Sequence, residues 1–132
     1  MAIEFFLPMV PPTITQQEHR IGHTKTGKTY IYEQADLKTA RLKLMDAVGP
    51  HAPETPLEGP LQLITKWIWP AKDGILRYKT TKPDTDNVVK MLKDCMTRTH
   101  FWNDDAQVAS EITEKFLDPD GCSGIYIKVV SL

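Results

Sequence analysis

A chain of 132 residues, 41% hydrophobic and 25% charged, is long enough for one modest core and too ordinary in composition for a disordered or fibrous protein. No apolar run nears the ~18 residues that span a bilayer, and the start, MAIEFFLPMVPP, lacks the positive flank and long apolar stretch of a signal peptide. Sixteen basic residues against seventeen acidic ones give a net charge of −1, so affinity for a polyanion must rest on local clusters of charge. A single domain over residues 1–132 is expected, cytoplasmic and away from membranes.

In chain order, Ile3 to Met9 is a short strand candidate ended by Pro11-Pro12. Thr13 to Thr29 has glycines, histidines and the basic residues Arg20, Lys25 and Lys28, but no apolar periodicity. It reads as a long loop, of the kind that is functional or disordered in a small domain. Tyr32 to Val48 is predicted helical, with Ala35, Leu37, Ala40, Leu44 and Val48 on a broad apolar face, and Gly49-Pro50 stops it. A Pro-rich connector follows to Pro60. Leu61 to Trp69 alternates, with Leu61, Leu63, Thr65, Trp67 and Trp69 on one side of a central strand. Ala71 to Thr81 crosses on polar and basic residues, with room for a short extended piece.

After Pro83 a second helix is predicted, capped by Asp86 and striped by Val88, Val89, Met91, Leu92, Cys95 and Met96. Ala106 to Phe116 alternates with Val108, Ile112 and Phe116 on one face. A turn over Asp118 to Gly124 leads to a partner strand, Ile125 to Val130. The order predicts an α+β fold: a small mixed or antiparallel sheet with two helices packed on it.

The chemistry-bearing stretch is Lys82 to Val108, KPDTDNVVKMLKDCMTRTHFWNDDAQV. Asp84 and Asp86 precede a helix, and Asp104 and Asp105 follow it. If the chain after Trp102 doubles back beside the strand that feeds Pro83, the two acid pairs can meet. Carboxylates gathered in one pocket repel unless a cation joins them. Oxygen ligands without histidine or thiolate favour Mg²⁺ or Mn²⁺ over zinc. Lys90, one turn beyond Asp86, could then donate to a phosphate, and Asn87 could orient a ligand. Eight basic residues between Lys66 and Arg98 supply an approach surface for a polyanion.

The plainer reading of each residue is structural. Asp86 suffices as a helix cap, Asp86 and Lys90 are spaced as an intrahelical pair worth about 0.3–0.5 kcal/mol, and Asn103-Asp104-Asp105 is ordinary turn chemistry. An EF-hand does not fit, because counting from Asp84 the sixth position is Val89 and the twelfth is Cys95. Cys95 and Cys122 have no metal-ligand spacing, and the four histidines are scattered.

The run PDTDNVVKMLKDCMTRTHFWNDDAQV resembles the RusA family of Holliday junction resolvases: D-x-D-N, then a lysine on a helix, then an aromatic residue and D-D-x-Q-V. A weaker likeness extends to Pro11-Pro12, the basic Gly27-Lys28-Thr29 and the closing strands. The resemblance implies a RusA-like fold and a Mg²⁺-dependent homodimer, with Mn²⁺ as a substitute, that makes paired symmetric nicks across a four-way DNA junction. By position it makes Asp84, Asp86, Asp105 and Lys90 catalytic, with the metal on Asp84, Asp86, Asp105 and the adjacent Asp104. Asn87, Lys82, Arg20, Lys25 and Lys28 would contact DNA. It further implies that metal-activated water attacks a phosphodiester to leave 5′-phosphate and 3′-hydroxyl ends. Two alternatives stay open at this point: a branched-DNA-binding module without catalysis, and another metal-dependent phosphoryl or glycosyl transferase using the Asp-x-Asp pair.

Overall fold

The computed structural model describes residues 1–13 and 27–132, with the backbone alone for 27–34. Five strands form one mixed sheet: β1 (Ala2–Leu7), β2 (Leu61–Pro70), β3 (Arg77–Tyr78), β4 (Val108–Asp118) and β5 (Gly124–Ser131). Their order across the sheet is β1-β5-β2-β4-β3. Two helices, α1 (Gly27–Val48) and α2 (Thr85–Arg98), complete the α+β fold.

The alternation of β2 does what its sequence predicts. Leu61, Leu63, Thr65, Trp67 and Trp69 are buried in turn, while the residues between them are half-buried or exposed. The Thr65 hydroxyl, buried among apolar side chains, is satisfied by the Trp67 indole N–H at 2.9 Å. The buried stripe of α2, namely Val88, Val89, Met91, Leu92, Cys95 and Met96, packs into this same core with Leu37, Leu44 and Val48 of α1. Arg41 and Asp94, 3.8 Å apart, join the two helices at their rim.

Three expectations need correction. Helix α1 begins at Gly27 rather than Tyr32, which places Lys28 in its first turn instead of in a loop. Arg20 and Lys25 lie outside the described residues. Strand β5 is not the hairpin partner of β4: it pairs antiparallel with β1 and β2, and β2 lies between β4 and β5.

The third correction concerns the faces of β4. Leu61 is opposite Val108 but Gln62 is opposite Ser110, so Ala109 is an extra residue that reverses the alternation. Val108 therefore faces the helices, whereas Ile112 and Phe116 pair with Ile64 and Ile68 on the open face. The helix-facing positions of β4 become Glu111, Thr113, Lys115 and Leu117. A polar strip thus runs beneath the flank of α2, and Lys115 of that strip holds the turn before Asp84.

Candidate active site

Helix α2 starts one cap earlier than its sequence suggests. Its N-cap is Asp84, in extended conformation, and Asp86 lies in the first turn. The Asp84 backbone carbonyl accepts the first helical N–H, from Val88 at 3.2 Å, but its side chain makes no capping hydrogen bond. Both carboxylates are solvent-exposed, and neither forms an ion pair among the described residues. The helix dipole favours negative charge at this end, so the pair is tolerated here without a partner. Lys90 is exposed one turn on, on the same side as Asp86, and the intrahelical pair that their spacing allows is not formed. Asn87 is half-buried between them, and Lys82 is exposed just ahead of the acids.

The turn that delivers Asp84 is held from below by a residue that sequence reasoning missed. Lys115 on β4 sends its ammonium to the carbonyls of Thr81 (2.8 Å) and Pro83 (2.7 Å), the latter being the residue before Asp84. Charge-assisted bonds to two carbonyls fix a segment that has no strand pairing of its own. Lys79 sits close by, its ammonium 5.5 Å from the centre of the Trp69 ring and 2.7 Å from the Thr81 hydroxyl. Burial, and then the charge of Lys115, hold the Lys79 ammonium below its ordinary pKa. With Val108, Ile112 and Phe116 expected on one face, the alternation carries no signal for Lys115.

Asp105 is delivered by a second device. A short 3-10 turn, Asp105–Gln107, precedes β4 and is closed by a capping box in which Asp104 Oδ1 accepts from Ala106 N at 2.9 Å. The Gln107 side chain uses its full hydrogen-bonding capacity there. Its Oε1 accepts from the backbone of Asn103 and Asp104, both at 3.0 Å. Its Nε2 donates to the carbonyls of Leu57 (3.0 Å) and Gly59 (3.1 Å). Phe101 and Trp102 anchor the same corner in the core. The Asp104 carboxylate is thus engaged in the turn, while Asp105 is exposed and has no ion-pair partner among the described residues.

Asp84, Asp86 and Lys90 come together, and Asp105 does not join them within one chain. The chain after Trp102 does pair beside β2, but in parallel, with Leu61 opposite Val108 and Pro70 opposite Asp118. Parallel pairing sends Asp105 to the far end of the strand. Lys115 touching Pro83, and Lys93 touching Glu111 at 2.9 Å, show that α2 and β4 run antiparallel, one laid along the other. From Val108 to Lys115 the strand rises about 23 Å, at ~3.3 Å for each of seven residues (115 − 108). Among the described residues, no three His, Cys, Asp or Glu side chains are close enough to hold a metal ion. Asp84 and Asp86 are chemically suited to a hard cation, as exposed oxygen donors with no competing ligand, but they are two where a firm site takes more.

Cys95 is no nucleophile. Burial, reinforced by the Asp94 charge, pushes its thiol up to about 12.

The site thus lies on a mixed α+β sheet with two helices on one face, and consists of exposed acids and a lysine at a helix start. A family model described as endodeoxyribonuclease RusA matches residues 9–130. A crossover junction endodeoxyribonuclease rusA of Lactococcus phage r1t is 30% identical over 112 residues, covering 82% of this chain and 83% of the phage protein. An uncharacterized protein YqaN of Bacillus subtilis (strain 168) is 30% identical over 124 residues, covering 83% of this chain and 86% of its own length. The chain belongs to the RusA endodeoxyribonuclease family, and its activity is that of a nuclease, a hydrolase acting on DNA.

Proposed function

We propose that this chain resolves four-way DNA junctions by paired symmetric nicks, as a divalent-metal-dependent homodimer acting in the cytoplasm. One observation carries the reading: Asp84 and Asp86 stand exposed beside Lys90 with no structural task for their carboxylates. Asp104, by contrast, spends its carboxylate on its own turn. A module that merely bound DNA would have no use for bare acids facing a polyanion.

The opposite placement of Asp105 is compatible with this chemistry in a symmetric dimer. A twofold axis reverses direction, so the helix–strand unit of one protomer can lie antiparallel to that of its partner. The start of α2 in one chain is then beside the turn before β4 in the other, and each centre takes Asp84 and Asp86 from one protomer and Asp105 from its partner. Among the described residues β3 covers β4 only at Phe116 and Leu117, so the edge from Ala109 to Glu114 is open to such a neighbour.

Asp84, Asp86 and Asp105 would hold Mg²⁺, or Mn²⁺ in its place, with Asp104 at the margin of the set. The cation supplies Lewis-acid activation of water and offsets charge on the scissile phosphate. Lys90 donates to a non-bridging phosphate oxygen and stabilises the negative charge that grows there in the transition state. Asn87 and Lys82 contact the phosphates on either side, and Arg20, Lys25 and Lys28 extend the grip along the backbone. Hydrolysis leaves 5′-phosphate and 3′-hydroxyl ends. Among the described residues no helix is long and apolar enough to cross a membrane.

The test is to incubate the protein with a labelled four-way junction and with linear duplex, with and without Mg²⁺, beside Asp86→Asn. Mg²⁺-dependent cleavage of the junction, little of the duplex, and binding without cleavage by the variant are the expected results. Equal nicking by Asp86→Asn would remove the acid pair from the mechanism.

A further inference from the structure

The connection between β2 and β3 serves no purpose in the core, yet it is built with care. It follows Pro70, where Ala71 N donates to Asp118 O at 3.0 Å, and returns to the sheet at Arg77 and Tyr78. Between these points the Arg77 guanidinium folds back, and its Nη1 donates to the carbonyls of Asp73 (3.1 Å) and Ile75 (3.0 Å). Gly74 turns the chain with φ of +91°, and a Cβ there would come within 2.8 Å of Arg77 Nη1. The positive φ favours glycine, and a Cβ would meet only the movable end of the Arg77 side chain. Tyr78 stacks on Phe116 with ring centres 4.9 Å apart, and its hydroxyl reaches Glu114 at 3.3 Å, so the base of the turn is pinned to the sheet.

At the tip of this braced turn stand two adjacent aliphatic residues, Ile75 at 76% exposure and Leu76 at 58%. Lys72 and Arg77 are exposed on either side of them along the chain, with Asp73 the one acid of the turn. The path from tip to acid pair is continuous: Lys79 N bonds Lys115 O at 2.9 Å, and Lys115 in turn holds Pro83, next to Asp84. A braced apolar point flanked by Lys72 and Arg77 and tied to the acid pair matches one occupant. The cations suit phosphates on both sides. The aliphatic pair suits the faces of bases, which a continuous duplex keeps stacked and a branch point leaves partly open.

We infer that Ile75 and Leu76 form a wedge that enters the base stack at the branch point of a DNA junction, opening the strands beside the acid pair. The inference rests on the junction-resolving reading above and adds to it the feature by which a branch is told from a plain duplex.

The experiment uses a four-way junction carrying 2-aminopurine at the branch point, bound by the full chain in the presence of a chelator, beside Ile75→Ser/Leu76→Ser. Wild type should raise the 2-aminopurine fluorescence severalfold, because insertion unstacks the probe. The double variant should leave the fluorescence flat and bind the junction about tenfold more weakly, with duplex affinity and sedimentation unchanged. Ile75→Leu/Leu76→Ile keeps the apolar point and should restore both signals. If the serine variant opens the branch as wild type does, or if it sediments at half the mass of wild type, the wedge is wrong; the latter result would make these residues a contact between copies. A wild type that cuts junctions without a fluorescence rise overturns the wedge alone, whereas a wild type that neither binds nor cuts junctions overturns the function as well.

Discussion

Lys115 shows how one side chain far along the chain decides the geometry of a pair of acids. Its ammonium bridges the two carbonyls that lead into Asp84, and the segment it holds has few other ties. Lys115→Met should lower stability by about 1–3 kcal/mol, the cost of leaving carbonyls without a charged donor. It should also slow junction cleavage by about tenfold or more through misplaced carboxylates, with junction affinity nearly unchanged. Lys115→Arg, which keeps a donor and a charge, should recover part of the cleavage rate. Denaturant titration, a binding isotherm and single-turnover cleavage separate these effects, and a loss confined to affinity would make Lys115 a docking contact. Nothing in the local sequence could mark this residue. Its partners lie 32 and 34 residues away, and the bulge that turns it toward the helices leaves no signature in the pattern of side chains.

At the scale of elements, α2 was legible in its stripe and misread at its start. The six buried positions follow from helical spacing, and all six are where that spacing puts them. The cap was misplaced by two residues because Asp84 and Asp86 are equally good capping types, and only the backbone distinguishes them. The other end stops on an unusual residue. His100 has φ of 67°, and the bonds Phe101 N to Met96 O (3.0 Å) and His100 N to Thr97 O (3.1 Å) close the paired turn that ends many helices. Glycine is the usual occupant because a side chain is strained there. His100→Gly should therefore raise stability by about 1 kcal/mol without altering cleavage, as read by the urea midpoint. No gain would mean that the exposed imidazole makes an offsetting contribution. Strand β2 was fully legible, since both its faces keep strict alternation. Strand β4 was not, because one extra residue at Ala109 reverses every position after it.

For the whole molecule, the long stretch from Asp84 to Asp105 named the acids, and the fold decides which of them share a chain-local neighbourhood. Sequence spacing suggested one cluster; the parallel pairing of β2 with β4 separates it into two halves. The shared-centre dimer makes a prediction that no single-chain site can imitate. Asp86→Asn and Asp105→Asn should each be inactive alone. Mixed and allowed to exchange subunits, they form a heterodimer in which one centre carries both lesions and the other carries none. Nicking of one junction strand should return, to at most about half the wild-type rate per heterodimer. If the mixture stays silent although exchange is complete, each centre is built within one protomer and the acids must meet by rearrangement.

The distance between the two acid groups also bears on how such a nuclease is kept safe in a cell full of DNA. In the shared-centre dimer proposed above, the halves of each blade would sit on separate chains, and a protomer fresh from the ribosome would be unarmed. Activity at low abundance would then rise with the square of the amount made, and the first cut would wait until a pair had met.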